Sequence, residues 1–111
     1  MMKFLVWMTG SMMAIATLQA RALDASAASA PTVEITKFAF APKEITVTPG
    51  TKIVWTNRDE TPHTVTSADK QLKSSALDTN DKFEHVFASE GDFSYFCTLH
   101  PFMTGVVHVR K

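Results

Sequence analysis

Sulfur is nearly missing from most of this sequence. Its 111 residues hold a single cysteine, Cys97, so no intrachain disulfide can form. Met1, Met2, Met8, Met12 and Met13 crowd the N-terminus, which leaves Met103 as the one methionine of the remaining chain. Net charge is missing as well: eleven Lys and Arg balance eleven Asp and Glu. That balance excludes the dense phosphate neutralisation on which nucleic-acid binding depends, so no nucleic-acid partner is expected. There is no internal repeat and little helical periodicity. The length allows one domain and leaves little room for a second, and 45% hydrophobic with 20% charged residues argues against both a disordered chain and a polytopic membrane protein.

The longest apolar stretch, Phe4 to Ala20, is interrupted by Thr9-Gly10-Ser11 and falls short of the about 20 residues that span a bilayer. Preceded by Lys3 and followed by the small-x-small patterns Ala20-Arg21-Ala22 and Ala28-Ser29-Ala30, it reads as an export signal. We expect a signal peptide over 1–22, with cleavage as late as residue 30, a flexible Ala/Ser-rich segment over 23–31, and a folded domain over 32–111. This arrangement implies periplasmic localisation with no stable membrane insertion after cleavage. Loss of Lys3 and Arg21 leaves nine basic against eleven acidic residues, a mature charge of −2. A domain this small usually needs good packing or an added constraint such as a metal. In an oxidising compartment a lone thiol is either a liability or bound to something.

Short runs of alternating apolar residues, each ended by Gly, Pro or Asp/Asn, dominate the rest. Val33 and Ile35, continuing to Phe38 and Phe40, form a first strand that Pro42 ends. Further strands are expected over Glu44 to Thr48, Lys52 to Thr56, His63 to Ser67, Lys82 to Ala88, Phe93 to Cys97 and Gly105 to Arg110, with one short helical turn around Leu72 to Leu77. Without crossover helices, these strands predict an all-β sandwich or small barrel with Greek-key connections and not a parallel sheet.

Between the last two strands lies Cys97-Thr98-Leu99-His100-Pro101-Phe102-Met103. A thiol, an imidazole and a thioether recur at three-residue intervals, so one tight loop can turn all three to a common point. Thiolate and thioether are soft donors and imidazole suits copper in both oxidation states, so the set selects copper over harder cations. His63, just after Pro62, offers a fourth donor if its strand neighbours the loop. Taken singly, a cysteine or methionine is most often core packing and a strand histidine structural. Packing does not explain a chain that avoids sulfur after its leader except at two positions flanking a histidine. His85 and His108 lack ligand spacing and are read as structural, His85 half-buried and His108 at the surface.

The Cys-x2-His-x2-Met loop with an upstream His, together with Trp55-Thr56-Asn57, Pro62-His63, Glu90-Gly91 and Tyr95-Phe96-Cys97, resembles the cupredoxins, the blue copper proteins, and among them the amicyanin type, with plastocyanin and pseudoazurin as wider relatives. The resemblance runs from about Val33 to Val109. It implies a cupredoxin Greek-key β-sandwich of about seven to eight strands and one type 1 copper ion held by His63, Cys97, His100 and Met103. Two positions depart from the amicyanin pattern. Thr64 stands where an Asn that ties the two ligand loops is usual, and Leu99 stands where a Pro precedes the second ligand His.

Four protein donors leave no vacant position for substrate, which predicts an electron carrier and not an enzyme. Leu99, Pro101 and Phe102 are apolar residues in a loop, and they are expected to surround an outward-facing His100 edge as the docking face for a transient redox donor and acceptor, with the protein acting as a monomer. A periplasmic copper chaperone or sequestration protein would use the same donors, and the Thr64 and Leu99 departures lean that way. A multicopper enzyme fragment is disfavoured, because the chain has only four histidines.

Overall fold

A computed structural model describes residues 30–111, so the expected export signal and most of the Ala/Ser-rich segment lie outside the described residues. Seven strands follow in order: β1 Thr32–Thr36, β2 Ala39–Ala41, β3 Glu44–Val47, β4 Thr51–Asn57, β5 Lys82–Phe87, β6 Gly91–Phe96 and β7 Thr104–Val109. They make two sheets, β2-β1-β4-β5 and β3-β7-β6, between which the chain crosses three times. The all-β sandwich of about seven strands read from the sequence is the observed architecture.

Strand faces follow the alternation. Ile53 and Trp55 are fully buried on one face of β4, as are Val107 and Val109 on β7, while intervening residues turn outward. The core centres on rings: Tyr95 packs edge to face with Phe40 at 4.7 Å and with Trp55 at 5.5 Å. Burial pushes the Tyr95 hydroxyl up to about 12, so it stays neutral. Gly105 lies directly across from Tyr95 in the β6–β7 register, and a β-carbon there would collide with the Tyr95 ring. The glycine is what lets that ring enter the core.

Three local expectations are corrected. The first run is two strands: Lys37 and Phe38 adopt positive φ and reverse the chain, so β1 and β2 pair as an antiparallel hairpin. Residues His63 to Ser67 form no strand, because only isolated bridges from His63 to Leu77 and from Thr66 to Lys73 and Phe96 close there. Leu72 to Leu77 forms no helical turn, since Leu72 and Leu77 are instead buried as plugs of the core and the backbone is spent on those bridges. The sheets are mixed, not purely antiparallel: β1 runs parallel to β4 and β3 parallel to β7, an outcome of successive crossings between sheets.

This topology gathers the ligand-bearing segments at one end. Ile35 near the end of β1 pairs with Asn57 at the end of β4, Thr56 pairs with Lys82 at the start of β5, and Phe96 at the end of β6 pairs with Thr104 at the start of β7. The Thr66–Phe96 bridge joins the two groups across the sandwich.

Candidate metal centre

The segment that carries His63 is anchored by a buried amide. Asn57, fully buried at the end of β4, donates through Nδ2 to the carbonyls of Thr61 (3.0 Å) and Leu77 (2.8 Å), while its Oδ1 accepts the Asp59 N–H at 3.0 Å. His63 then exchanges backbone bonds with Leu77, N–H to O at 3.1 Å and O from N–H at 2.7 Å. With its main chain held from both sides, the imidazole is buried at 0% exposure.

The second segment is a closed loop. The His100 N–H donates to the Cys97 carbonyl (3.2 Å), the Met103 N–H to the His100 carbonyl (2.9 Å) and the Cys97 N–H to the Met103 carbonyl (3.1 Å). The three-residue spacing seen in the sequence is thus a ring of backbone hydrogen bonds linking Cys97, His100 and Met103. Cys97 and Met103 are buried, whereas His100 is half-buried. Leu99, at the position of the missing proline, projects outward at 53% exposure.

Donor atoms from the two segments converge. Cys97 Sγ lies 3.7 Å from His63 Nδ1 and 3.8 Å from His100 Nδ1, and the three atoms fall within 4.8 Å of one another. An ion bonded at about 2.3 Å to sulfur and about 2.0 Å to each nitrogen spans such S···N edges, so the donor set fits a single soft metal ion. Among the described residues this is the one cluster of three such side chains.

Thr64 joins the segments. Its N–H donates to Cys97 Sγ at 3.3 Å, and its hydroxyl oxygen accepts the Thr98 N–H at 2.8 Å and the Thr66 hydroxyl at 3.3 Å, with a 2.9 Å contact to the Thr98 hydroxyl. A threonine therefore makes the cross-loop tie that the amicyanin pattern assigns to asparagine.

Two participants escaped the sequence reading. Asp59 Oδ2 accepts the His63 Nε2–H at 2.8 Å, which leaves the Nδ1 lone pair facing Cys97. Burial opposes ionisation of Asp59, but the N–H groups of Phe38 and Lys37 and the His63 ring together hold its carboxyl below the usual range. The i, i+4 spacing of Asp59 and His63, a carboxylate one short loop before a candidate ligand, was the available signal. Phe38 was read as a strand residue. Its ring instead stands edge-on to both His63 (5.3 Å) and His100 (5.1 Å), and no sequence pattern announces that.

Around His100 the surface is apolar. Phe102 is 71% exposed and Phe38 43%, beside exposed Leu99 and Pro101. His85 is half-buried against Phe87, and His108 is a partly exposed residue on the outer face of β7, both remote from the cluster.

A β-sandwich that closes a His, Cys, His cluster at one end defines a class, and a family profile described as Cupredoxin-like domain matches residues 5–109. The chain belongs to the cupredoxin family. Within it, the chain is similar to amicyanin-alpha of Methylorubrum extorquens, at 34% identity over 87% of this chain and 88% of that protein. It is also similar to amicyanin of Paracoccus denitrificans, at 31% identity over 70% of this chain and 63% of the relative. Among solved structures, a reduced tryptophan-to-tyrosine variant of amicyanin superposes with a TM-score of 0.70 at 30% identity, covering 73% of this chain and 82% of the other. A purple cupredoxin from Nitrosopumilus maritimus gives 0.68 at 32% identity, covering 72% and 99%.

Proposed function

We propose that this chain is an exported type 1 copper protein that shuttles single electrons between transient protein partners in the periplasm. It is a blue copper electron carrier of the amicyanin kind and not an enzyme. His63, Cys97 and His100 serve as the strong donors and Met103 as the weak fourth. Bound copper supplies a Cu(II)/Cu(I) couple that takes up and releases one electron at a time.

The observation that carries this reading is the meeting of Cys97 Sγ with the two Nδ1 atoms inside a rigid sandwich. Asp59 sets the His63 tautomer, and Thr64 donates to the Cys97 sulfur. Both donors are therefore oriented by the fold itself, which limits rearrangement when charge changes. Burial of Cys97 and His63 at 0% exposure favours a carrier over a chaperone, because metal exchange by partner thiols needs accessible donors.

His100 is the donor that reaches the surface, so electrons enter and leave there. A redox donor and acceptor dock near Leu99, His100, Pro101 and Phe102, a small apolar face suited to weak encounters that dissociate quickly, and the protein works as a monomer. The N-terminal segment read as an export signal supports the periplasmic location.

The visible spectrum of the Cu(II)-loaded protein tests the assignment. An intense thiolate-to-copper band is expected, abolished in Cys97→Ser, and a variant that kept the band would overturn it. Reversible one-electron voltammetry separates a carrier from a chaperone.

A further inference from the structure

The chain reverses between β1 and β2 at Lys37 (φ 53°) and Phe38 (φ 58°). Two successive residues of positive φ define the turn that Asn-Gly normally fills, because a β-carbon is disfavoured there. This chain places a lysine and a phenylalanine instead. The strain is held by Asp59, whose Oδ1 accepts the Lys37 N–H at 2.7 Å and whose Oδ2 accepts the Phe38 N–H at 2.9 Å. The same Oδ2 accepts the His63 Nε2–H. One carboxylate thus fixes the hairpin tip and one histidine together.

Strain kept beside a site points to use. We propose that Phe38 is a positioning residue of the metal centre, its ring pressed against the His100 imidazole to hold that donor in place. This role rests on the reading of His63, Cys97 and His100 as copper donors.

The need for it is specific to His100. Cys97 and His63 are fully buried, and His63 has a carboxylate behind its outer nitrogen. His100 is half-buried on an exposed loop, and among the described residues the hydrogen bonding of its ring is confined to Nδ1 facing the sulfur. A ligand ring without a hydrogen-bonding partner behind it is steadied by packing alone. Phe38 supplies that packing at 5.1 Å and 83°, and Phe102 on the other side is more distant at 6.1 Å and largely exposed. The Phe38 ring also stands at 86° to His63, so a single side chain spans both histidines.

Phe38→Asn tests the role, since asparagine accepts the left-handed turn but removes the ring. In the apo-protein, the His100 ring resonances are expected to lose their ring-current shift and to show motional averaging by NMR. In the Cu(I)-loaded protein, capture of Cu(I) by a chelator is expected to run roughly tenfold faster, the scale of losing an edge-to-face contact. Phe38→Tyr keeps the ring and should leave both readouts at their original values. Unchanged His100 resonances and an unchanged Cu(I) release rate in Phe38→Asn would overturn the proposal. So would a Phe38→Asn variant that merely exchanges electrons more slowly with its partners, because Phe38 would then be a docking contact. If the unaltered protein fails to develop colour with Cu(II), the copper reading fails instead, and the apo-protein NMR still judges the contact between Phe38 and His100.

Discussion

Thr64 shows how one side chain can replace another by chemistry and not by shape. An asparagine offers a carbonyl and an amide, whereas threonine has one hydroxyl that accepts twice and donates once. Here it accepts from the Thr98 N–H and the Thr66 hydroxyl, which leaves its own proton for the Thr98 hydroxyl. Thr64→Val keeps the volume and the N–H to Cys97 Sγ but strands the buried Thr66 hydroxyl and removes the acceptor of the Thr98 N–H. Such a loss costs about 1–3 kcal/mol. Chemical denaturation of the apo-protein should show the lower midpoint, and an unchanged midpoint would mean that the hydroxyl does not tie the loops. The spacing of the donors was legible because sulfur is so scarce after Met13. The Thr64 tie was only partly legible, since a hydroxyl beside a ligand announces capacity to bond and not the partner it will find.

The three-stranded sheet β3-β7-β6 carries its own electrostatic brace. His108 on β7 bonds through Nδ1 to Asp92 on β6 at 2.7 Å and through Nε2 to Glu44 on β3 at 2.8 Å, while Arg110 also reaches Asp92. Both ring nitrogens face carboxylates, so both donate only when the imidazole is protonated. The hydrogen bond to Asp92, then that to Glu44, raise the His108 pKa above its usual value. A raised folded value means stabilisation that is complete below the unfolded pKa of about 6.5 and is lost as pH climbs through the folded value. On the acid side, His108 and then Arg110 hold the Asp92 carboxyl below its usual range, so its share is lost as pH falls through that depressed value. Thermal melts of the apo-protein should therefore show unaltered protein exceeding His108→Gln most at mildly acidic pH, with the gap closing in alkaline buffer. The gap is small and narrows with salt, because the groups are exposed. A gap that widened toward alkaline pH would refute the brace.

At the scale of the whole molecule, charge does little and shape does more. With no net charge in the full sequence and −2 expected after leader removal, long-range steering is weak, and encounters depend on the apolar rim around His100. Leu99 is a fair probe of that rim, being exposed and free of any part in the core. Leu99→Glu should slow electron exchange with a purified redox partner by about tenfold, from the cost of covering a carboxylate in an apolar contact. Its spectrum and melting temperature should match those of the unaltered protein. Stopped-flow rates that stay the same would place the docking face elsewhere.

Period-two alternation in β4, β6 and β7 revealed which side chains face inward, because a strand buried on one side can be written in no other way. The loop from Cys97 to Met103 was equally open to reading, since its three bonds are local, two of them spanning three residues and the closing one six. Alternation does not reveal which strands become neighbours, so the parallel pairs β1–β4 and β3–β7 came only with the crossings between sheets. Lys37-Phe38 carries no turn signal, and the hairpin forms there because Asp59, more than twenty residues away, captures both N–H groups. The segment from His63 to Ser67 alternates like a strand, yet its conformation was settled by Asn57 and by paired bonds to distant backbone. Local composition writes the faces and the donors, and long-range hydrogen bonds decide which of them meet.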